Sequence, residues 1–302
     1  MPTTILESVV DEVNDMTIFE MVKYHTQEYP ADIPLRIEEC AAHMDVTAIK
    51  AELMRSMHTE YSYGKRKFDS PIIGAYPALT EANKDGVPQL WKGIEWGQQF
   101  ADFVITLAGD EVPAVIEIHP PFTDYTDMSG FISAYMAFEE RILGKYPNVN
   151  ILIENRCGSV YKGGKFLVSK LQDVLALCEH IEQHKLHLKI AYDVPQIYTA
   201  HNAKKQDAYL DLIRQTKDFR LYIGGVHLWG KRKAESGRLV SHCGDLNSYF
   251  DGDMETKGLF LQEFASCFND GITRKMVLEV NSGNDDLNSI ITDLRSVGVI
   301  FE

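Results

Sequence analysis

No run of apolar residues in this chain approaches the roughly 20 that a membrane-spanning helix needs. Residues 1–20 lack a basic start followed by an apolar stretch, so no secretory leader is expected. The five cysteines (Cys40, Cys157, Cys178, Cys243, Cys267) are scattered and odd in number, with no CxxC pair among them. That usage excludes a disulfide scaffold and a thiolate metal knot, and it predicts free thiols in a reducing, cytoplasmic setting. Neither GxGxxG nor a P-loop occurs, which removes the usual phosphate cradle of a doubly wound nucleotide-binding sheet. Low-complexity tracts and internal repeats are absent too. Cations are in short supply: 30 Lys and Arg face 44 Asp and Glu, for a net charge of −14. Such a field repels a nucleic-acid backbone, and the best basic patch (Lys231, Arg232, Lys233, Arg238) reads as a solvated loop. The partner expected is a small molecule, with a homo-oligomer left open.

What the chain does have is regular alternation. With 302 residues, 45% of them hydrophobic, it can bury a full core. Strand candidates fall at Pro71–Tyr76, Ala114–His119, Asn150–Glu154, Leu188–Asp193, Leu221–His227 and Met276–Glu279. Segments with apolar residues at helical spacing separate them, such as Trp91–Leu107, Phe131–Ile142, Phe166–Ile181 and Leu287–Leu294. Each step is long enough for one βα unit of roughly 30 residues. Strand–helix alternation calls for a parallel sheet with helical crossovers. Six units fill residues 71–302, and residues 1–70 must hold two more to complete a (β/α)₈ TIM barrel in a single domain, 1–302. That first quarter is atypical: residues 5–24 and 47–57 look helical, and Leu35–Ala42 suits either strand or helix.

The polar residues at the strand ends point to chemistry. Asn150-Ile-Leu-Ile-Glu154 is an apolar run that stops on a carboxylate, as a strand buried on both faces does at the lip of a sheet. Three later strands stop in the same way, on Asp193, His227 and Glu279. A lone strand-end carboxylate is more often a cap or an ion pair, but four successive ends carrying Glu, Asp, His and Glu form a pattern. In a closed barrel these ends share the C-terminal face, where active sites lie. Three carboxylates and an imidazole repel one another without a cation, and together they suit one divalent metal ion (Mn, Mg, Co or Zn).

These residues resemble a known family. Ile153-Glu-Asn155, Asp193-x-x-Gln196, Gly225-x-His-Leu228, Ser241-His-x-Gly-Asp245 and Leu278-Glu-Val-Asn281 are similar, in this order, to motifs of the xylose isomerase-like TIM barrels. That superfamily holds sugar isomerases and epimerases, inosose dehydratases and the endonuclease IV group. The resemblance covers about residues 70–300. It implies that Glu154, Asp193, His227 and Glu279 hold one cation, with Glu154 and Glu279 also acting as acid and base. His119 matches a strand-end histidine that endonuclease IV uses for a second metal. Three ligands of that enzyme's trinuclear cluster are missing at the expected places. Its third-strand histidine falls on Ile73-Gly-Ala-Tyr76, another histidine on Gln196, and an aspartate on Val240. The resemblance therefore implies a sugar isomerase or epimerase first, with an endonuclease IV-like phosphodiester hydrolase or a non-catalytic ligand-binding barrel as the alternatives.

Substrate contacts are expected from His119, Arg156, Gln196, His242 and Asp245. Arg156 stands directly beyond Glu154 and suits an anionic or hydroxyl oxygen. His242 and Asp245 lie in the long excursion after the seventh strand, a place where loops line a barrel mouth.

Overall fold

The computed structural model describes residues 16–24, 27–35, 37–41, 55–59 and 72–302. The described strands are β1 (Thr17–Lys23), β2 (Ile37–Ala41), β3 (Arg55–His58), β4 (Val115–Ile118), β5 (Asn150–Glu154), β6 (Leu188–Asp193), β7 (Ile223–Leu228), β8 (Lys231–Lys233), β9 (Leu239–Ser241), β10 (Arg274–Leu278) and β11 (Val299–Phe301). The helices are α1 (Pro77–Thr80), α2 (Ile94–Ala108), α3 (Met128–Lys145), α4 (Leu171–His184), α5 (Val194–Ala200), α6 (Gln206–Gln215), α7 (Leu246–Tyr249), α8 (Met254–Cys267) and α9 (Asn284–Ser296). None of them is long and apolar enough to cross a membrane. The chain divides into two compact units, Ile37–His201 and Met1–Arg36 with Asn202–Glu302.

In the unit Ile37–His201, β2 to β6 pair in sequence order, every pair parallel. Side chains alternate between the two faces of a strand, so the register decides which residues meet. Ala41 pairs with His58, His58 with Glu117, Ile118 with Ile153, and Glu154 with Ala191. Glu39, His58, Glu117, His119, Glu154 and Asp193 therefore all face one side. Beneath them on that side Val115, Leu152 and Ala191 pack as an apolar layer.

Helices α2 and α3 cover the other face and pin the end of β4. They approach closely at Gly97, where any Cβ would collide with the Ala134 carbonyl. Trp91 is wholly buried among Trp96, Phe100, Phe131 and Phe138. Its indole Nε1–H donates to the backbone oxygen of His119 at 2.8 Å. A Trp wants a partner for that N–H when buried, and here the partner is the backbone of a site residue.

In the other unit, β1 lies parallel between β10 and β11, and β10 pairs with β7. Arg274 opens β10, 1% exposed, with both terminal nitrogens on the Asp270 carboxylate at 2.7 Å. It also donates to the carbonyls of Ile223, Ile272 and Arg220, bracing the start of β7. At the opposite end of β10 the Gln27 amide donates to Leu278 and Val280, the carbonyls flanking Glu279. The antiparallel hairpin β8–β9 carries the basic patch, whose cations are largely matched. Arg232 pairs with Asp286, Lys233 lies 3.5 Å from Asp251, and Lys231 sits over the Tyr249 ring.

Several sequence expectations are corrected. Ile73–Ala75 is a 3-10 turn leading into α1, with Pro77 at its first position, and not a strand. The strand preceding β4 is β3, which overlaps the end of the segment 47–57 read as helical. Thr17–Lys23, also read as helical, is a strand with nearly alternating burial, and the ambiguous Leu35–Ala42 holds β2. Residues 1–15 and 42–54, which carry the rest of those readings, lie outside the described residues. Phe166 precedes α4 instead of opening it, stacking on Phe122 at 4.2 Å in a small aromatic cluster.

Candidate metal centre

Four side chains of the unit Ile37–His201 converge where the register sends them. His58, Glu117, His119 and Glu154 are at most 6% exposed, and each offers a ligand atom within 4.8 Å of the others. His58 Nε2 lies 3.0 Å from His119 Nε2, and His119 Nε2 lies 2.8 Å from Glu154 Oε2. His58 Nε2 is 3.9 Å from Glu154 Oε2 and 3.8 Å from Glu117 Oε1. Two ligands on one ion with bonds near 2.1 Å stand at most about 4.2 Å apart. The four separations given fall inside that limit, and all the ligand atoms lie within 4.8 Å of one another, so the cluster could hold a cation. Two imidazoles with carboxylates also suit zinc, cobalt or manganese better than magnesium.

The electrostatics agree with that fit. Burial by itself would lower the His58 pKa, yet Glu117, Glu39 and Glu154 together raise it to about 10. Three carboxylates therefore act on one buried imidazole, an arrangement that favours positive charge at that place. A buried group of this kind could hold a metal ion.

Around Glu154 the neighbours are specific. Arg156 NH1 donates to Oε2 at 2.5 Å, and the Gln196 amide donates to Oε1. The same amide reaches Asp193 Oδ2 at 2.9 Å, while Asp193 Oδ1 caps α5 through the Gln196 N–H at 2.8 Å. Asn155 clasps Asp193 by a reciprocal pair, its amide on the Asp193 carbonyl and its oxygen on the Asp193 N–H. Asn155 thus ties the ends of β5 and β6 at a fixed offset.

The unit Met1–Arg36 with Asn202–Glu302 holds its own constellation. His227 Nδ1 lies 3.4 Å from Glu279 Oε1, and His242 Nδ1 lies 3.1 Å from Oε2. Burial pushes the Glu279 carboxyl up, but hydrogen bonds from His227 and His242 outweigh it and hold the group well below the usual range. His242 adopts a left-handed φ of 58° and stacks on Trp229 at 4.3 Å. Glycine has no rival at 230, because a Cβ there would strike the Gly244 backbone.

Of the residues expected from sequence, Glu154, Asp193, His119, Arg156 and Gln196 form one connected group. His227, Glu279 and His242 form another, in the other unit. Asp245 caps α7 through Ser248 and accepts from Asn247 and from Ser289 on α9, so its carboxylate is engaged in tying its loop to that helix. Sequence reasoning missed His58, Glu117 and Glu39. The strand before β4, expected at 71–76, is β3, and it ends on His58. Its signal was faint: Arg-Ser-Met-His contains one apolar residue in four. Glu117 could have been found, since it stands two before His119 on the same strand face.

No family model matches the chain, and no curated protein matches it. Solved structures do. The crystal structure of AsfvAP:AG is 11% identical with a TM-score of 0.57, over 94% of this chain and 99% of that one. A fusion of a xylose isomerase-like TIM barrel with a 4-hydroxyphenylpyruvate dioxygenase is 12% identical with a TM-score of 0.51, over 94% of this chain. The match covers 46% of that protein, so this chain spans about half of its length. A D-tagatose 3-epimerase-like protein is 12% identical with a TM-score of 0.48, over 92% of this chain and 98% of that one. The likeness to the first two shows the fold alone: this chain is an α/β protein with a TIM-barrel fold, similar to that of a xylose isomerase-like barrel.

Proposed function

We propose that the chain is a divalent-metal-dependent enzyme that isomerises or epimerises a small polyhydroxylated carbonyl compound. The observation that carries the proposal is the buried convergence of His58, Glu117, His119 and Glu154. A cation held there would supply a Lewis acid that polarises a carbonyl oxygen. The chain's own groups do the rest. Glu154 is the base that takes the proton from the carbon beside that carbonyl. Arg156 and Gln196 grip its two oxygens and fix the direction of attack. The resemblance of its motif alone proposes Glu279 as the second proton-transfer group, and within its own unit His227 and His242 favour its ionised carboxylate. The apolar layer of Val115, Leu152 and Ala191 closes the floor beneath Glu154 against water.

The test is proton exchange. Protein loaded with Zn²⁺, Co²⁺ or Mn²⁺ is screened against ketoses, aldoses and inososes in heavy water. Exchange at the carbon beside the carbonyl is followed by NMR. Wild type is expected to exchange deuterium into one substrate class, and Glu154→Gln to lose the exchange while keeping its circular dichroism. A Glu154→Gln variant that exchanges at the wild-type rate refutes the base assignment.

His58 favours a second reading, phosphodiester hydrolysis, because it ends the strand before β4, where one of the three ligands seemed missing. At the other two places Gln196 and Val240 are neither imidazole nor carboxylate, and the net charge of −14 opposes a polyanion. Cleavage of an abasic-site oligonucleotide, with binding that falls steeply as salt rises, would establish that reading in place of the first.

A further inference from the structure

We propose that Glu39 is a positioning residue for the metal: it accepts the Nδ1 proton of His58 and thereby leaves the Nε2 lone pair turned toward the cation. The inference rests on the metal-centre reading above and adds a residue that contacts neither metal nor substrate. Glu39 sits on β2 in register with Ser56, two positions before Ala41, the partner of His58. Alternation puts Glu39 and His58 on one face as diagonal cross-strand neighbours, within reach of a long side chain. Glu39 Oε1 lies 2.6 Å from His58 Nδ1, while His58 Nε2 points the other way, toward His119 and Glu154.

A neutral imidazole carries one donor and one acceptor nitrogen, and the bond made by one nitrogen decides what the other can do. With Nδ1–H committed to Glu39, Nε2 is the nitrogen that gives up its proton to a cation, as a metal ligand must. The rest of the Glu39 environment gives it no other employment. Its side chain is 2% exposed, and Oε2 is buried without a hydrogen-bond partner among the described residues. Burying a carboxylate with one oxygen unsatisfied is costly. A residue kept only for packing would be served better by glutamine, leucine or methionine. Carboxylate–imidazole–metal relays of this form raise ligand basicity and fix ring orientation.

The test uses calorimetric titration of the full chain with Zn²⁺ and the absorption spectrum of the Co²⁺ form, so turnover is not needed. Glu39→Gln is expected to weaken Zn²⁺ binding roughly 10- to 100-fold and to alter the Co²⁺ spectrum. Glu39→Asp keeps the charge but draws the oxygen back by one methylene, and intermediate weakening is expected. Unchanged affinity in Glu39→Gln overturns the proposal. If that variant fails to fold, wild-type affinity in Glu39→Asp overturns it instead. Wild type that takes up no metal sinks the metal-centre reading, and this inference with it. Wild type that binds while Glu154→Gln and His58→Ala do not, beside an unaffected Glu39→Gln, sinks this inference alone.

Discussion

Replacing Asp270 by alanine strands a buried cation. Arg274 is 1% exposed, and both of its terminal nitrogens end on Asp270 at 2.7 Å, with Arg220 Nε at 3.3 Å from the same carboxylate. The three carbonyls that also hold Arg274 carry no net charge, so they cannot neutralise it. Removing one partner of a buried pair costs about 3–5 kcal/mol, because the survivor stays desolvated and unpaired. In a protein of this size that corresponds to a fall in Tm on the order of 10 °C. The pair braces the start of β10 and β7, whereas Glu279 and His227 lie beyond and near their other ends. Urea unfolding should therefore show a much lower midpoint for Asp270→Ala at unchanged slope, with Zn²⁺ affinity at 25 °C unaltered. The pH dependence has a definite sign. Burial draws the Asp270 pKa up, but the Arg274 bonds outweigh it and hold the carboxyl below its ordinary 3.8. A depressed carboxyl contributes stability above its unfolded pKa and loses it as pH falls through the folded value. The gap between wild type and Asp270→Asn should thus be full near neutrality and close under strong acid. A loss below about 1 kcal/mol, or a gap that widens in acid, would show that Arg274 is carried by its carbonyls and that the reasoning is wrong.

Two further outcomes are expected. Burial draws the Cys157 pKa up, but hydrogen bonds from Ser159 and Tyr161 and the charge of Arg156 bring it below normal, while burial pushes Cys178 and Cys267 up to about 12. Iodoacetamide at neutral pH should label Cys157 well before those two, as peptide mass spectrometry would show, and equal rates would contradict this. Trp91→Phe keeps the aromatic packing but leaves the buried His119 carbonyl without its donor. A stability loss of about 1–3 kcal/mol in chemical unfolding is expected, and no measurable change would mean another donor replaces the indole.

The parts of the chain that sequence reading recovered are those where burial on both faces leaves a plain apolar signal. Asn150–Glu154 and Leu188–Asp193 match β5 and β6 residue for residue. Strand β3 fails that test because its burial is polar. Arg55 donates to the Ala108 carbonyl, His58 faces the cluster, and Met57 alone is apolar. The converse error arose at Ile72-Ile73, an apolar pair read as strand, where Ile73 is buried in a short turn that runs into the helix opened by Pro77. Strand β1 misled because Ile18, Phe19, Met21 and Val22 fit both a helical and an alternating spacing. Residues that carry charge toward the candidate site were thus the hardest to place, since site chemistry displaces the hydrophobic code. Glu154 and Asp193 were readable as strand ends because each closes a largely apolar run, and His227 and Glu279 stand within one residue of the ends of β7 and β10. Glu39 and His58 follow no such run.

The grip of Gln27 on the carbonyls of Leu278 and Val280 reaches across some 250 positions of chain. Strand β1 likewise waits for partners from residues 274–301. On the ribosome, then, these particular contacts of the early segment cannot form until residues 274–301 have emerged, while β2 to β6 can pair with neighbours that emerge soon after one another. The sheet edge that leads to Glu279 is therefore among the last to pair.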